Sequence, residues 1–266
     1  MGHVIAVANQ KGGVGKTTSS ISISAELAHM GRQVLLVDFD PQGNATSGLG
    51  VELKEEGKDL YDMFFGRVSL ADIITPTKVE GLSVAPSSKD LVGIEIELGK
   101  APGRELKLKS ELKLLRSAYD YVIIDCPPSS GLLTLNALGA AESVLIPLQA
   151  EYYALEGLSA LLGTIEFVKQ TFNPSLGILG VFLTMFDGRT NLAVQVEAEV
   201  RSHFGEQAFK SRIPRNIKLS ECPSHGLPIS LYDGLSSGAV AYRALTQEID
   251  DRCFGNSQGA KRVVNA

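Results

Sequence analysis

From Gln10 to Thr18 the chain reads Gln-Lys-Gly-Gly-Val-Gly-Lys-Thr-Thr, with glycines, a lysine and two hydroxyls at the spacing needed to hold a polyphosphate. Gly12, Gly13 and Gly15, with Val14 between them, let the backbone curl until successive N–H groups point into one concavity, a fixed array of donors for phosphate oxygens. Helical periodicity begins at Lys16, so the start of that helix adds the positive end of its dipole. Lys16 then reaches the β- and γ-phosphates as a point charge, the Thr17 hydroxyl is placed to ligate Mg2+, and Thr18 closes the binding run. A glycine-rich turn that binds nothing would not need lysine and threonine in register between a strand and a helix.

Two further segments bring carboxylates to the same edge. Val37-Asp38-Phe39-Asp40-Pro41-Gln42-Gly43-Asn44 ends one strand-like run, with Pro41 and Gly43 marking the turn that follows. Tyr121-Val122-Ile123-Ile124-Asp125-Cys126-Pro127-Pro128 ends another. An apolar strand that delivers a single Asp to the phosphate edge suits a Mg2+ held through water, and Asp125 is that residue. The C-terminal ends of strands are where open α/β sheets bind ligands.

The elements that position these groups alternate between short β-branched runs and longer helix-period segments, the pattern of a parallel sheet with crossover helices. Strands are expected at His3 to Ala8, Gln33 to Asp38, Leu82 to Ala85, Tyr121 to Asp125, Ser143 to Pro147 and Ile178 to Thr184. Runs such as Val34-Leu35-Leu36-Val37 are apolar on both faces and read as central strands covered on each side. Helices are expected at Lys16 to Met30, Arg104 to Ser117, Glu151 to Phe172, Asn191 to Phe204 and Gly238 to Arg252, with a short helical insertion between Glu52 and Gly81. Ala154, Leu158, Leu161, Ile165 and Val168 form a core-facing stripe. The fold class is therefore α/β: a mostly parallel central sheet with helices on both faces, in three layers. Residues 1–254 are expected to form one domain and 255–266 a polar tail.

Composition agrees. The 266 residues are 44% hydrophobic, enough for one sizeable core. No run approaches the ~20 apolar residues of a membrane span, and no basic, apolar leader is evident, so a soluble cytoplasmic chain is expected. Cys126, Cys222 and Cys253 are too scattered for a disulfide framework or a CxxC metal site, although Cys126 and Cys222 could meet in space. The net charge is -5, yet residues 201–266 carry nine Lys/Arg against six Asp/Glu, a mild bias compatible with an anionic partner. His203 and His225 read as surface or structural residues.

Position 10 is Gln where the ordinary loop has its first glycine, and Lys11 adds a second lysine. With that deviant loop the sequence resembles the ParA/MinD superfamily, closest to the short ParA or Soj-like partition ATPases. The resemblance extends from His3 to about Arg252 and includes Asp40 to Thr46, Glu151 to Gly157, Arg189-Thr190-Asn191 and Ile213 to Asn216. It implies ATP and Mg2+ as ligands and an ATP-sandwich homodimer in which Lys11 crosses to the partner's phosphates, placing Lys11 and Lys16 among the catalytic groups. It puts Asp38 near the metal shell, Asp40 near the attacking water, and a γ-phosphate-sensing switch after Pro127 and Pro128. It places Met185 and Pro214-Arg215-Asn216 beside the adenine. It assigns Arg189, Arg215 and Lys218 to a surface that binds double-stranded DNA without sequence preference. A ParB-like partner would stimulate hydrolysis, and the ATP-bound form would associate with the nucleoid. Glu151 is read as either a first-turn helix acid or a contact across the dimer.

Three rival readings share the nucleotide site. A MinD-like, membrane-associated spatial regulator requires an amphipathic C-terminal anchor, and Gln258 to Ala266 is too short and too poor in bulky apolar residues, so no stable membrane anchor is expected. A nitrogenase-type iron protein requires a second cysteine in mid-chain. A ligase or kinase with a small-molecule acceptor would need an acceptor-pocket signature, and none is evident.

Overall fold

Strand formation follows the apolar runs, and each central strand divides its side chains between two cores. In β1 (His3–Val7) Val4 and Ala6 face one cluster while Ile5 and Val7 face the other. The same alternation splits Leu35 and Val37 from Val34 and Leu36. Burial on both faces explains why these runs are uniformly hydrophobic. The computed structural model describes residues 2–53, 59–151 and 154–258, with side chains for all but 154–156 and 256–258.

In order after β1 come α1 (Lys16–His29), β2 (Val34–Asp38), α2 (Asn44–Gly48), α3 (Leu60–Phe64), α4 (Leu70–Ile73), β3 (Thr75–Pro76) and β4 (Leu82–Ala85). They are followed by α5 (Ile94–Glu97), α6 (Lys107–Leu115), β5 (Tyr121–Asp125), α7 (Leu132–Ala140), β6 (Ser143–Gln149), α8 (Ala154–Thr171) and β7 (Gly177–Phe186). The chain finishes with α9 (Asn191–Phe204), β8 (Ala208–Pro214), α10 (Ile217–Glu221), α11 (Ile229–Tyr232) and α12 (Ser237–Gln258). The eight strands form one sheet in the order β3-β4-β2-β5-β1-β6-β7-β8. Every described pairing is parallel except β3 with β4. From β1 the chain goes to β2 on one side of the sheet, and from β5 it crosses to β6 on the other. The loop after β1 therefore lies at the point where the strand order reverses, the ligand-binding crevice of such sheets.

The architecture is the expected one, with local differences. Strand β8 carries exposed Lys210 and Arg212, edge-strand chemistry that hides it from a search for apolar runs. Helix α7 is buried on nearly all sides and lacks the one-sided stripe that periodicity detects. The Glu52–Gly81 insertion contains α3, α4 and the two-residue β3, while 54–58 lie outside the described residues. Glu151 precedes α8 instead of starting it, and Arg104–Leu106 forms a 3-10 turn before α6. The last helix runs to Gln258, past the expected end at Arg252; residues 259–266 of the expected tail lie outside the described residues. In the α8 stripe Leu158, Leu161, Ile165 and Val168 are core, and the Ala154 side chain is not described.

Candidate nucleotide and metal site

The loop between β1 and α1 is shaped by two left-handed glycines, Gly13 at φ 75° and Gly15 at φ 88°, a conformation that penalises any side chain. Gly15 is the residue preceding α1, so the loop ends on the free N–H groups of a 14-residue helix. Polar anchors hold the curl. Asn9 donates to Pro147 O (2.8 Å) and accepts from the Lys11 N–H (3.0 Å), Thr184 donates to Val14 O (2.8 Å), and Gln10 donates to Thr164 on α8 (3.0 Å). The residue that departs from the ordinary loop thus ties it to a neighbouring helix.

Lys16 is 6% exposed and donates to Lys11 O at 3.1 Å. Burial lowers its pKa, an effect opposed by the nearby charges of Asp125, Cys126 and Asp40. Helix α1 is rich in small hydroxyl residues because it is almost entirely enclosed: Ser20 donates to Asp125 Oδ1 (2.8 Å), and Ser19 bonds the Tyr242 hydroxyl on α12 (2.9 Å).

Opposite the loop, Asp38 and Asp125 end adjacent parallel strands in direct register. Thr46 fixes Asp38 through its N–H (2.7 Å) and hydroxyl (2.6 Å), both to Oδ2. Asp40 follows just after the strand, accepting the Gln42 N–H at 3.0 Å, while its carbonyl accepts the Ser87 hydroxyl (2.8 Å). Burial pushes the Asp38 carboxyl up to about 6, against the hydrogen bonds from Thr46. Burial, then the charge of Asp38, pushes Asp125 up to about 7, against the hydroxyls of Thr17 and Ser20. One oxygen of each, Asp38 Oδ1 and Asp125 Oδ2, is buried without a hydrogen-bond partner.

Two buried acids with orphaned oxygens beside a hydroxyl and a lysine fit a divalent cation. Among the described residues no three His, Cys, Asp or Glu side chains cluster to hold a metal alone. Mg2+ keeps most of its shell as water and phosphate oxygens and needs few protein ligands.

Lys11 extends from the loop to Glu151, Nζ to Oε2 at 2.7 Å, and Gln149 donates to the other Glu151 oxygen. At the start of α1 a pocket is lined by Gly15, Thr18, Met185, Pro214, Arg215, Asn216 and Tyr242, among others. The four residues expected beside the base are thus brought together against the helix start. Met185 has φ 50°, the one positive φ at a non-glycine among the described residues, and strain of this kind concentrates at functional positions. Sequence reasoning missed Thr184, Tyr242, Ser20 and Gln10 as parts of this site. Cys126 and Cys222 are both free and buried.

A family described as an AAA domain matches residues 2–178 of the chain. The sporulation initiation inhibitor protein Soj of Bacillus subtilis is 54% identical over 249 residues, covering 94% of this chain and 98% of its own. The chain belongs to the ParA/MinD family. The chromosome partitioning protein ParA of Myxococcus xanthus is 52% identical over 252 residues, covering 95% and 89%. Among solved structures, one described as cobyrinic acid a,c-diamide synthase of Mycobacterium smegmatis, with bound ATP analogue and magnesium, superposes with a TM-score of 0.85 at 39% identity, covering 96% and 97%. The cell division ATPase MinD of Pyrococcus furiosus gives 0.77 at 29%, covering 94% and 99%.

Within this ParA/MinD member the three basic residues expected to meet DNA lie near the C-terminal ends of β7 and β8, where Phe186 pairs with Pro214. Arg189, Arg215 and Lys218 are exposed. The block from Tyr152 to Glu156 has no described side chains. Among the described residues no helix is long and apolar enough to cross a membrane.

Proposed function

We propose that the chain is a partition ATPase that binds ATP and Mg2+, closes into a homodimer and in that state binds double-stranded DNA non-specifically. A ParB-like partner then stimulates hydrolysis to ADP and phosphate. The observation that carries the reading is the pair of buried, half-satisfied carboxylates facing a glycine loop and a buried lysine. Soj and ParA relatives at about half identity over nearly the whole chain support partition over ligase chemistry.

The loop N–H groups and Lys16 hold the β- and γ-phosphates, and the Met185 and Pro214 to Asn216 pocket holds the base. Thr17, Asp38 and Asp125 would hold Mg2+, which would neutralise charge on the phosphate oxygens. Asp40, at the turn beyond β2, orients the attacking water. For Lys11 to reach a second subunit its contact with Glu151 must open, so dimer closure exchanges an internal carboxylate for a phosphate. Pro127 and Pro128 stiffen the segment after Asp125 that senses the γ-phosphate. The DNA-bearing form would be nucleoid-associated, and residues 1–254 act as one domain.

Dimerisation doubles the cations available to phosphates, and affinity rises steeply with the number neutralised. Arg189→Ala is expected to weaken ATP-dependent binding to random-sequence duplex roughly tenfold at matched salt and to flatten its salt dependence, as read by fluorescence anisotropy. Equal binding with and without ATP would refute the proposal, and ATP-dependent sedimentation with liposomes would favour the membrane-associated alternative.

A further inference from the structure

Two of the three cations on the proposed DNA surface are paired within the chain. The Arg189 guanidinium is held by Asp187 in a two-pronged pair, Nε to Oδ1 at 2.9 Å and Nη2 to Oδ2 at 2.7 Å. Arg189 is 90% exposed, so this carboxylate is its main structural partner. Asp187 directly follows the Phe186–Pro214 pairing of β7 and β8, and Arg215 also acts on its charge. Farther along, Lys218 Nζ bonds Glu221 Oε2 at 2.9 Å.

A carboxylate that accepts two parallel N–H bonds from arginine offers the same planar recognition as two phosphate oxygens. We infer that Asp187 is an internal phosphate mimic: it occupies Arg189 in the free chain and must be displaced by the DNA backbone, with Glu221 acting likewise on Lys218. This rests on the DNA-binding reading above and adds to it a built-in limit on affinity. A paired Arg189 carries little net charge and condenses few anions, so each bond made to DNA is offset by a pair broken within the protein. The consequence is weak, readily reversed binding that becomes appreciable only when dimerisation sums many phosphate contacts. Because both partners are exposed, water screens the pair and exchange is easy.

The two roles of Asp187 can be separated. Its Oδ1 also accepts the Arg189 N–H (3.1 Å), and its carbonyl accepts the Thr190 hydroxyl (2.9 Å), bonds that shape the turn into α9. Asparagine keeps an acceptor oxygen and the carbonyl while removing the charge. The test is anisotropy of a random-sequence duplex against wild type, Asp187→Asn, Asp187→Asn/Glu221→Gln and Arg189→Ala, in full-length chain with a non-hydrolysable ATP analogue across a salt series. One phosphate contact at ~0.1 M salt is worth roughly 8-fold in affinity, which sets the scale of what freeing Arg189 from its internal pair can return, and an unpaired Arg189 also has condensed anions to release. Asp187→Asn is expected to bind about three- to tenfold tighter with a steeper slope, and the double variant tighter still. Unchanged affinity and slope, or weaker binding, in Asp187→Asn overturns the inference, the latter showing that Asp187 positions Arg189 for DNA. Loss of binding in Arg189→Ala alongside an unchanged Asp187→Asn leaves the DNA reading standing and removes only this inference. Wild-type binding by Arg189→Ala removes both.

Discussion

Lys16→Ala is expected to reduce ATP turnover roughly 10²–10³-fold, the loss seen when a preorganised group that stabilises transition-state charge is removed. Its side chain is buried, its ammonium donates to Lys11 O, and the charges of Asp125 and Asp40 act on it, so the cation is held in place before the phosphates arrive. Nucleotide affinity should fall as well, because the same charge holds the ground-state phosphates. Lys11→Ala separates the two lysines. Its side chain projects away from the loop to an exposed partner, Glu151, and the dimer reading assigns it to the second subunit's phosphates. Turnover should then fall by a comparable factor with nucleotide affinity in the monomer nearly unchanged and the ATP-induced dimer lost. Steady-state phosphate release, titration with a fluorescent nucleotide and gel filtration with ATP read the three quantities. A Lys11→Ala variant that still hydrolyses ATP at the wild-type rate would remove the trans role.

The difference between those lysines shows what is readable along the chain. Lys16, Thr17 and the glycines announce themselves because a phosphate cradle is built from consecutive residues between a strand and a helix. Asp38 and Asp125 are legible because an apolar run ending in Asp places its carboxylate at a strand end whatever the rest of the fold does. Partnerships across the fold are not: Thr184 meets Val14, Gln10 meets Thr164 and Tyr242 meets Ser19 only once β7, α8 and α12 are placed. Met185 is expected beside the base, but its left-handed backbone is not, since nothing in Thr184-Met185-Phe186 demands it. The Asp187–Arg189 pair is close in the sequence and still escapes notice there, because spacing two in a loop says nothing until the turn is known. Strand β8 escapes because an edge strand with exposed lysine and arginine lacks the apolar run that marks central strands.

The carboxylate pair that makes the site should also make the ligand-free chain sensitive to pH. An unfolded aspartate titrates near ~3.9, whereas burial and mutual repulsion raise Asp38 to about 6 and Asp125 to about 7 in the fold. Between those values the folded chain holds protons that the unfolded chain has released, so stability decreases as pH rises from roughly 4 to 7. Above that window both groups are ionised and the full penalty is present. With each tenfold change in proton affinity equivalent to ~1.4 kcal/mol, the penalty for Asp125 is on the order of 2–4 kcal/mol. Asp125→Asn should therefore raise the thermal midpoint of the ligand-free protein at about pH 8 and flatten its fall with pH, provided Asn keeps the hydrogen bond from Ser20. The same substitution should lower Mg2+-dependent ATP turnover by about 10²-fold or more, because it replaces the orphaned carboxylate oxygen that the proposed function assigns to the cation. Melts across that pH range, with and without Mg2+ and nucleotide, separate the cases. A variant less stable than wild type at high pH, with its pH slope intact, would mean that Asp125 serves the fold and that the tension between stability and metal binding does not exist here.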